Sequence, residues 1–163
     1  MYRACIAIAD ATRARVFAFE RTADVSGVHE ELIEQADLVN PARRRRPSEL
    51  FSDSRPGSSR TGTRGFAFDD HRDAHVDKLD DEFAAATVTE IRRILREAKA
   101  HRLIVCASPR MLGALRVAEL RHDGVAIDEL PRDLVKLTIS QLRDALASYG
   151  LLPPPPPRLA RQA

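Results

Sequence analysis

Leu103-Ile104-Val105-Cys106-Ala107-Ser108-Pro109-Arg110 is the stretch that decides the fold. Five apolar residues in a row suit a strand buried on both faces. Ser108 then stands as a helix N-cap, and Pro109 sits where a first helical residue needs no amide donor. The pattern predicts a strand over 103–107 and a helix from 109 to about Arg121, broken by Asp123-Gly124. Val125 to Leu130 reads as a further short strand or extended segment. A strand–helix–strand unit of this kind implies parallel pairing.

Upstream, residues 3–9 (Arg-Ala-Cys-Ile-Ala-Ile-Ala) form a second nearly unbroken apolar run. Asp10-Ala11-Thr12 reads as a turn, Ala14 to Glu20 as a strand, Asp24 to Gly27 as a turn and His29 to Val39 as a third strand. Together they predict an antiparallel meander. From about Asp73 to Ala100 the apolar spacing becomes helical, with Leu79, Phe83, Ile91, Leu95 and Ala98 near one face. Acids at its start and bases at its end complement the helix dipole. Downstream, Thr138-Ile139-Ser140-Gln141 fits a capping box ahead of a last helix that Gly150 ends. The expectation is an α/β fold: a single domain over residues 1–150, with a mixed sheet of about five strands and helices packed on it. Pro153 to Pro157 favours polyproline II, so residues 151–163 are expected to be a proline-rich disordered tail.

Length and composition agree with one folded domain. The 163 residues are 44% hydrophobic and 31% charged, which excludes a mainly disordered, collagen-like or fibrous chain. A formal charge of +2 from 26 bases and 24 acids says little about partners; its distribution says more. Cys5 and Cys106 are too few for a disulfide scaffold or a four-cysteine metal site, and each sits in an apolar run that predicts a buried thiol. No secretory signal and no run long enough to span a membrane is visible, so a cytoplasmic location is expected.

Residues 40–72 depart from this pattern. Arg43, Arg44, Arg45, Arg46, Arg55, Arg60, Arg64 and Arg72 stand there against Glu49, Asp53, Asp69 and Asp70. Prolines, glycines, serines and threonines fill the gaps. The stretch predicts a long, mobile, basic loop, and a loop of that length is usually functional or disordered. Its arginines would neutralise several phosphates, in a binding mode that is strongly salt-dependent. Within it, Ser52-Asp53-Ser54-Arg55-Pro56-Gly57 reads either as a shaped anion-binding turn, carried by Arg55 and Gly57, or as a solvated loop.

Four other constellations bear on chemistry. Asp10 with Arg13 and Arg15 is either a charged cluster at a strand end, where α/β folds gather ligands, or a capped turn with solvated arginines. Ser108-Pro109-Arg110 is either an anion site at a helix N-terminus or simple capping. His71 and His75, at i and i+4 among Asp70, Asp73 and Asp77, are either metal ligands or two exposed histidines. Arg64-Gly65-Phe66-Ala67-Phe68 opens like an RNA-recognition signature, but Asp69 and His71 break the match. No Walker loop, dinucleotide fingerprint, nucleophile elbow or zinc pattern occurs, and no cofactor is expected.

Several of these pieces together resemble the bacterial host attachment protein family. They are Ala9-Asp10-Ala11-Thr12-Arg13-Ala14-Arg15-Val16-Phe17, Asp37-Leu38-Val39-Asn40-Pro41, Ser52-Asp53-Ser54-Arg55-Pro56-Gly57, Leu103 through Gly113, and Asp133-Leu134-Val135-Lys136-Leu137. The resemblance covers roughly residues 3–148. The family's loop motif usually reads Ser-Asp-Arg-Pro-Gly, and here Ser54 is inserted before Arg55. The family often carries a His-Glu pair early in the long helix, and His71 and His75 are out of register with it. The resemblance implies an α/β fold like the middle domain of archaeal and eukaryotic class-1 peptide release factors, shared with some ribosomal proteins. In those factors a Gly-Gly-Gln loop before the long helix triggers peptidyl-tRNA hydrolysis. Here the basic loop occupies that place without Gly-Gly-Gln.

The sequence therefore leads to a cytoplasmic binding or regulatory protein whose partners are ribosomal RNA, tRNA or the ribosome. The contacts expected are Arg13, Arg15, Arg43 to Arg46, Arg55, Gly57, Ser108 and Arg110. A different class remains open, a small hydrolase or phosphate-ligand enzyme using Asp10, Asp53 and His71, with His71 and His75 as metal candidates. A third is a protein-interaction module docking through the proline run.

Overall fold

The computed structural model describes residues 1–44 and 65–157; the side chains at 44, 65–73 and 76 lie outside that description. Five strands form one sheet: β1 (Tyr2–Ala9), β2 (Arg13–Asp24), β3 (Gly27–Val39), β4 (Arg102–Ala107) and β5 (Ala126–Leu130). Their order is β3-β2-β1-β4-β5. β1 and β2 pair antiparallel, as do β2 and β3, whereas β1–β4 and β4–β5 are parallel. This is the expected mixed sheet, with the meander on one side and the strand–helix–strand unit on the other. The helices are α1 (Pro41–Arg44), α2 (Gly65–Glu97), α3 (Pro109–Val117) and α4 (Ile139–Ser148).

β1 and β4 are buried on both faces because both are flanked by strands and covered above and below. Along β1, Cys5, Ala7 and Ala9 face α2 and α3, while Ala4, Ile6 and Ile8 face α4. The two cores divide their volume differently. On the first face the strands supply many small side chains, and the helices supply the bulk with Phe83, Ile91, Ile94, Leu95, Met111, Leu112 and Leu115. On the second face Ile6, Ile8, Phe17, Phe19 and Ile104 of the sheet fill the space, so α4 needs only Leu142 and Leu146. Matched volumes of this kind keep an interior at close-packed density. Both cysteines are buried, and burial pushes each thiol up to about 12, which leaves little thiolate for chemistry.

Helix ends show where local sequence was informative. Thr138 and Gln141 make the predicted capping box, the Gln141 amide donating to Thr138 Oγ1 at 3.2 Å and the Thr138 amide to Gln141 Oε1 at 3.0 Å. Gly150 ends α4 at φ +70°, with its amide donating to Ala147 O and that of Leu151 to Leu146 O. The same Schellman arrangement ends α2 at Lys99 (φ 49°) and follows α3 at Glu119 (φ 61°). The helix expected to reach Arg121 therefore stops at Val117. The turn at Glu119 brings Leu120 back into the core at 2% exposure, and burying that side chain offsets the cost of a left-handed glutamate.

Two further boundaries differ from expectation. The stretch read as a loop over 40–72 is helical at both described ends, at Pro41–Arg44 and from Gly65 onward. No proline or glycine interrupts 66–97, so the helix nucleated by the core-facing half propagates backward. Residues 45–64, which include the Arg55 and Gly57 motif, lie outside the described residues. The boundary at residue 150 also moves. Leu152 is 4% exposed in the second core. Beyond it, the Pro153 carbonyl accepts from Arg143 Nη2 and the Pro154 carbonyl from Arg21 Nη1, both at 2.8 Å. The start of the proline run is thus docked; residues 158–163 lie outside the described residues.

Candidate functional site

β1 and β4 end side by side, Ala9 opposite Ala107. The chain leaves β1 toward β2 and β3 on one side, and β4 leads to β5 on the other. Open α/β sheets collect ligands at such a reversal, outside the carboxyl ends of the strands. Asp10, Asn40, α1, the first turn of α3 and Asp80 of α2 meet here.

Asp10 is committed to the turn. Its Oδ1 accepts from the Thr12 amide at 2.7 Å, the Thr12 hydroxyl at 2.6 Å and the Arg13 amide at 2.8 Å. Partial burial works to raise its pKa, but these hydrogen bonds and the nearby Lys136 charge outweigh it and hold the carboxyl below its ordinary value. This is the capped-turn geometry, and it leaves Asp10 ionised.

Asn40 is fully buried and fastens three elements. Its Nδ2 donates to Ala11 O at 2.9 Å and to Asp80 Oδ1 at 2.7 Å, and its Oδ1 accepts from the Ala42 amide at 3.1 Å. Its own amide donates to Thr12 O at 2.8 Å. One side chain thereby caps α1, holds the β1–β2 turn and ties both to α2. An asparagine immediately before Pro41 is an N-cap followed by proline at the first helical position, and that was the sequence signal for it.

The candidate arginines separate by burial. Arg15 is 7% exposed. Its guanidinium pairs with both Glu34 oxygens at 2.8 and 2.9 Å and donates to the Val135 and Leu137 carbonyls at 3.0 and 2.7 Å. It also lies 5.0 Å from the Phe17 ring centroid. Arg15 is thus a strut between β2, β3 and the segment after β5, with four of its five donors engaged. Arg13 makes a two-pronged bond to Asp37 at 2.7 and 2.6 Å near the surface. Arg43 Nη2 reaches Asp80 Oδ2 at 3.1 Å. Arg110 Nη2 lies 3.1 Å from Asp77 Oδ1 and 3.8 Å from Asp80 Oδ2, with its side chain 72% exposed.

Ser108 caps α3, accepting from the Met111 amide at 3.3 Å. The cleft between it, Ala11, Asn40, Asp80 and Arg110 measures about 40 Å³. That is near the ~30 Å³ share of one water, far below the ~300–1,000 Å³ of small-ligand pockets. A larger cavity of about 830 Å³ lies elsewhere, beside Arg92, Arg116, Arg121 and Glu129. Two of its arginines are already engaged, Arg92 with the Glu119 carbonyl and Arg116 with the Glu129 carboxylate.

Arg45, Arg46, Asp53, Arg55 and Gly57 lie outside the described residues, as do the side chains of Arg44 and His71. His75 is exposed on α2. Among the described residues no group of three His, Cys, Asp or Glu side chains is placed to hold a metal ion. Sequence reasoning named Asp77 only beside the histidine pair, noted Asn40 and Lys136 only within motifs, and gave no role to Asp80 or to Arg132, which with Lys136 is an exposed base after β5. Among the described residues neither of these two has a carboxylate within ion-pair distance. The placement of Arg13, Arg43, Arg110, Arg132 and Lys136 at the carboxyl edge of the sheet depends on topology, since they are spread over more than a hundred positions of sequence. No helix among the described residues is long and apolar enough to cross a membrane.

A family model described as "Protein required for attachment to host cells" matches residues 5–146 of the chain. No curated protein sequence matches it.

Proposed function

The chain belongs to the family of proteins required for attachment to host cells, and from that premise we propose that it is a cytoplasmic RNA- or ribosome-associated protein with a binding or regulatory role. The observation that carries this reading is the placement of five basic residues at the carboxyl edge of the sheet. Arg13, Arg43, Arg110, Arg132 and Lys136 reach that edge from the β1–β2 turn, α1, α3 and the segment after β5. α1 meets α2 at the same edge, where Arg43 donates to Asp80. From residue 43 to residue 64 the sequence holds seven arginines against two acids, Glu49 and Asp53. Arginine forks match phosphate geometry, and several phosphates neutralised together release counterions.

The likeness to the release-factor middle domain is part of the same proposal, and it supports a translation-related partner by analogy of fold. It does not extend to the release reaction, since no Gly-Gly-Gln occurs in the sequence. At Asp10 the three hydrogen bonds to Oδ1 favour a turn-capping role over the hydrolase reading.

Co-sedimentation of the full chain with ribosomes, at low and high salt, tests the proposal. The expected result is co-migration that high salt abolishes. Replacing Arg43, Arg44, Arg45 and Arg46 together by alanine should weaken binding to single-stranded RNA and flatten its logarithmic salt dependence by up to about 3, at ~0.7 for each phosphate no longer neutralised. A protein that stays at the top of the gradient at both salts, with no RNA affinity, overturns the reading.

A further inference from the structure

The helix that carries the core also brings two acids to the basic edge. Described positions from Ala74 to Lys78 on α2 are exposed, and core burial begins only at Phe83. On the stretch before Phe83, Asp77 and Asp80 lie one turn apart and point toward α3 and α1. Asp80 takes Asn40 at 2.7 Å and Arg43 at 3.1 Å. Asp77 takes Arg110 at 3.1 Å, with Asp80 behind it at 3.8 Å. Both described arginines nearest the reversal of the sheet are therefore already paired with carboxylates.

We propose that Asp77 is a specificity-determining residue of the basic edge: it occupies the Arg110 guanidinium, so that a densely charged polyanion displaces it more readily than a lone anion does. This rests on the RNA-binding reading above. Asp80 is the wrong residue to exchange, because its other oxygen is held by buried Asn40 and its loss would loosen α1. Asp77 makes only the one contact to Arg110 among the described residues, and both side chains are well exposed, at 62% and 72%. Exposed pairs of this kind are worth little, so the exchange is easy. A lone anion must compete with a carboxylate tethered beside the guanidinium, at the high effective concentration that tethering gives. A phosphate chain held by its other contacts competes on equal terms. Asp77 thus discriminates by charge density without touching a base.

The test is Asp77→Asn in the full chain, read by anisotropy with a fluorescein-labelled 20-nucleotide oligouridylate and, separately, by the salt needed to elute the protein from heparin. Asp123→Asn is the control: an exposed acid in the loop before β5, on the opposite edge of the sheet, with the same change in formal charge. Asp77→Asn should bind RNA about 2–5-fold more tightly, the range of an exposed ion pair, and elute from heparin at higher salt. Asp123→Asn should match the wild type. The gain should vanish in the Arg110→Ala background, since the two changes then act on one interaction. Equal gains from Asp77→Asn and Asp123→Asn, or a gain that survives Arg110→Ala, overturn the proposal. A heparin gain without RNA binding by any variant overturns the RNA reading and leaves the displacement by polyanions standing. RNA binding with no gain overturns Asp77's role alone, and absence of gain on both probes without RNA binding overturns both.

Discussion

Arg15 and Arg110 are the same side chain in opposite settings. On the second face of the sheet, Arg15 is sealed between β2 and the segment after β5, with Glu34 and two carbonyls using its donors. Arg143 plays a parallel part from α4, donating to Glu30 of β3 and to Pro153, over the Phe19 ring at 5.4 Å. At the carboxyl edge, Arg13, Arg43 and Arg110 also pair with acids, but water reaches them. An ion pair in a structure is therefore not one kind of object. Removing one member of a buried pair strands charge and acceptors without water, at ~3–5 kcal/mol. An exposed pair is worth ~0–1 kcal/mol and weakens with salt. The second-face arginines hold the fold; those at the edge remain available for exchange.

The largest expected effect comes from breaking the first kind. Arg15→Met keeps most of the stem's packing but deserts Glu34 and the Val135 and Leu137 carbonyls. Glu34 retains 25% exposure, so water recovers part of the loss, and the expected destabilisation is about 2–4 kcal/mol. Urea denaturation monitored by circular dichroism measures it. A loss below about 1 kcal/mol would erase the contrast between the two regions.

Leu152→Ala should cost about 2–3 kcal/mol, toward the low end for a buried leucine because a chain end can close over the gap. It asks whether the docked start of the proline run belongs to the second-face seam. A neutral result would return residues 151–157 to the status of a tail.

The same contrast explains what the sequence did and did not disclose. Buried apolar runs such as 103–107 and the 3–4 spacing from Phe83 to Leu95 carry the sheet and its main helix, because burial acts on each residue by itself. The capping box at Thr138 and the end at Gly150 were legible because their chemistry is local. The helix end before Glu119 was not, since tertiary burial of Leu120 overrides the preference for glycine there. Arg15 illustrates the limit at the site. Arg13 and Arg15 are two positions apart on one strand, and nothing local separates a surface arginine from a buried strut. The partners that decide, Glu34 and the carbonyls of Val135 and Leu137, arrive from distant sequence. Locally, Asp77 and Asp80 are no more than favourable acids near a helix start, because which cations they meet is set by the crossing of α2 over α1 and α3.

The smallest effect is expected at Arg13, and its pH dependence sharpens the comparison most. Arg13→Ala removes the two-pronged bond to Asp37, whose side chains are 39% and 44% exposed. At neutral pH the loss should be at most about 0.5–1 kcal/mol at low salt, and less at physiological ionic strength. The Arg13 hydrogen bond, with the Arg13 and Arg15 charges behind it, holds the Asp37 carboxyl below its ordinary value against a small opposing burial. A folded pKa below the unfolded one stabilises the native state above the unfolded value of about 3.9. That contribution fades as pH falls through the folded value. The stability gap between wild type and Arg13→Ala should therefore close as the pH drops below about 4, and adding salt should narrow it at neutral pH. Arg15→Met should behave differently under salt, because its partners are shielded from counterions. A gap at Arg13 that resists salt as Arg15's does would mean that the edge arginines are as firmly built in as the struts, and it would take away their readiness to exchange partners.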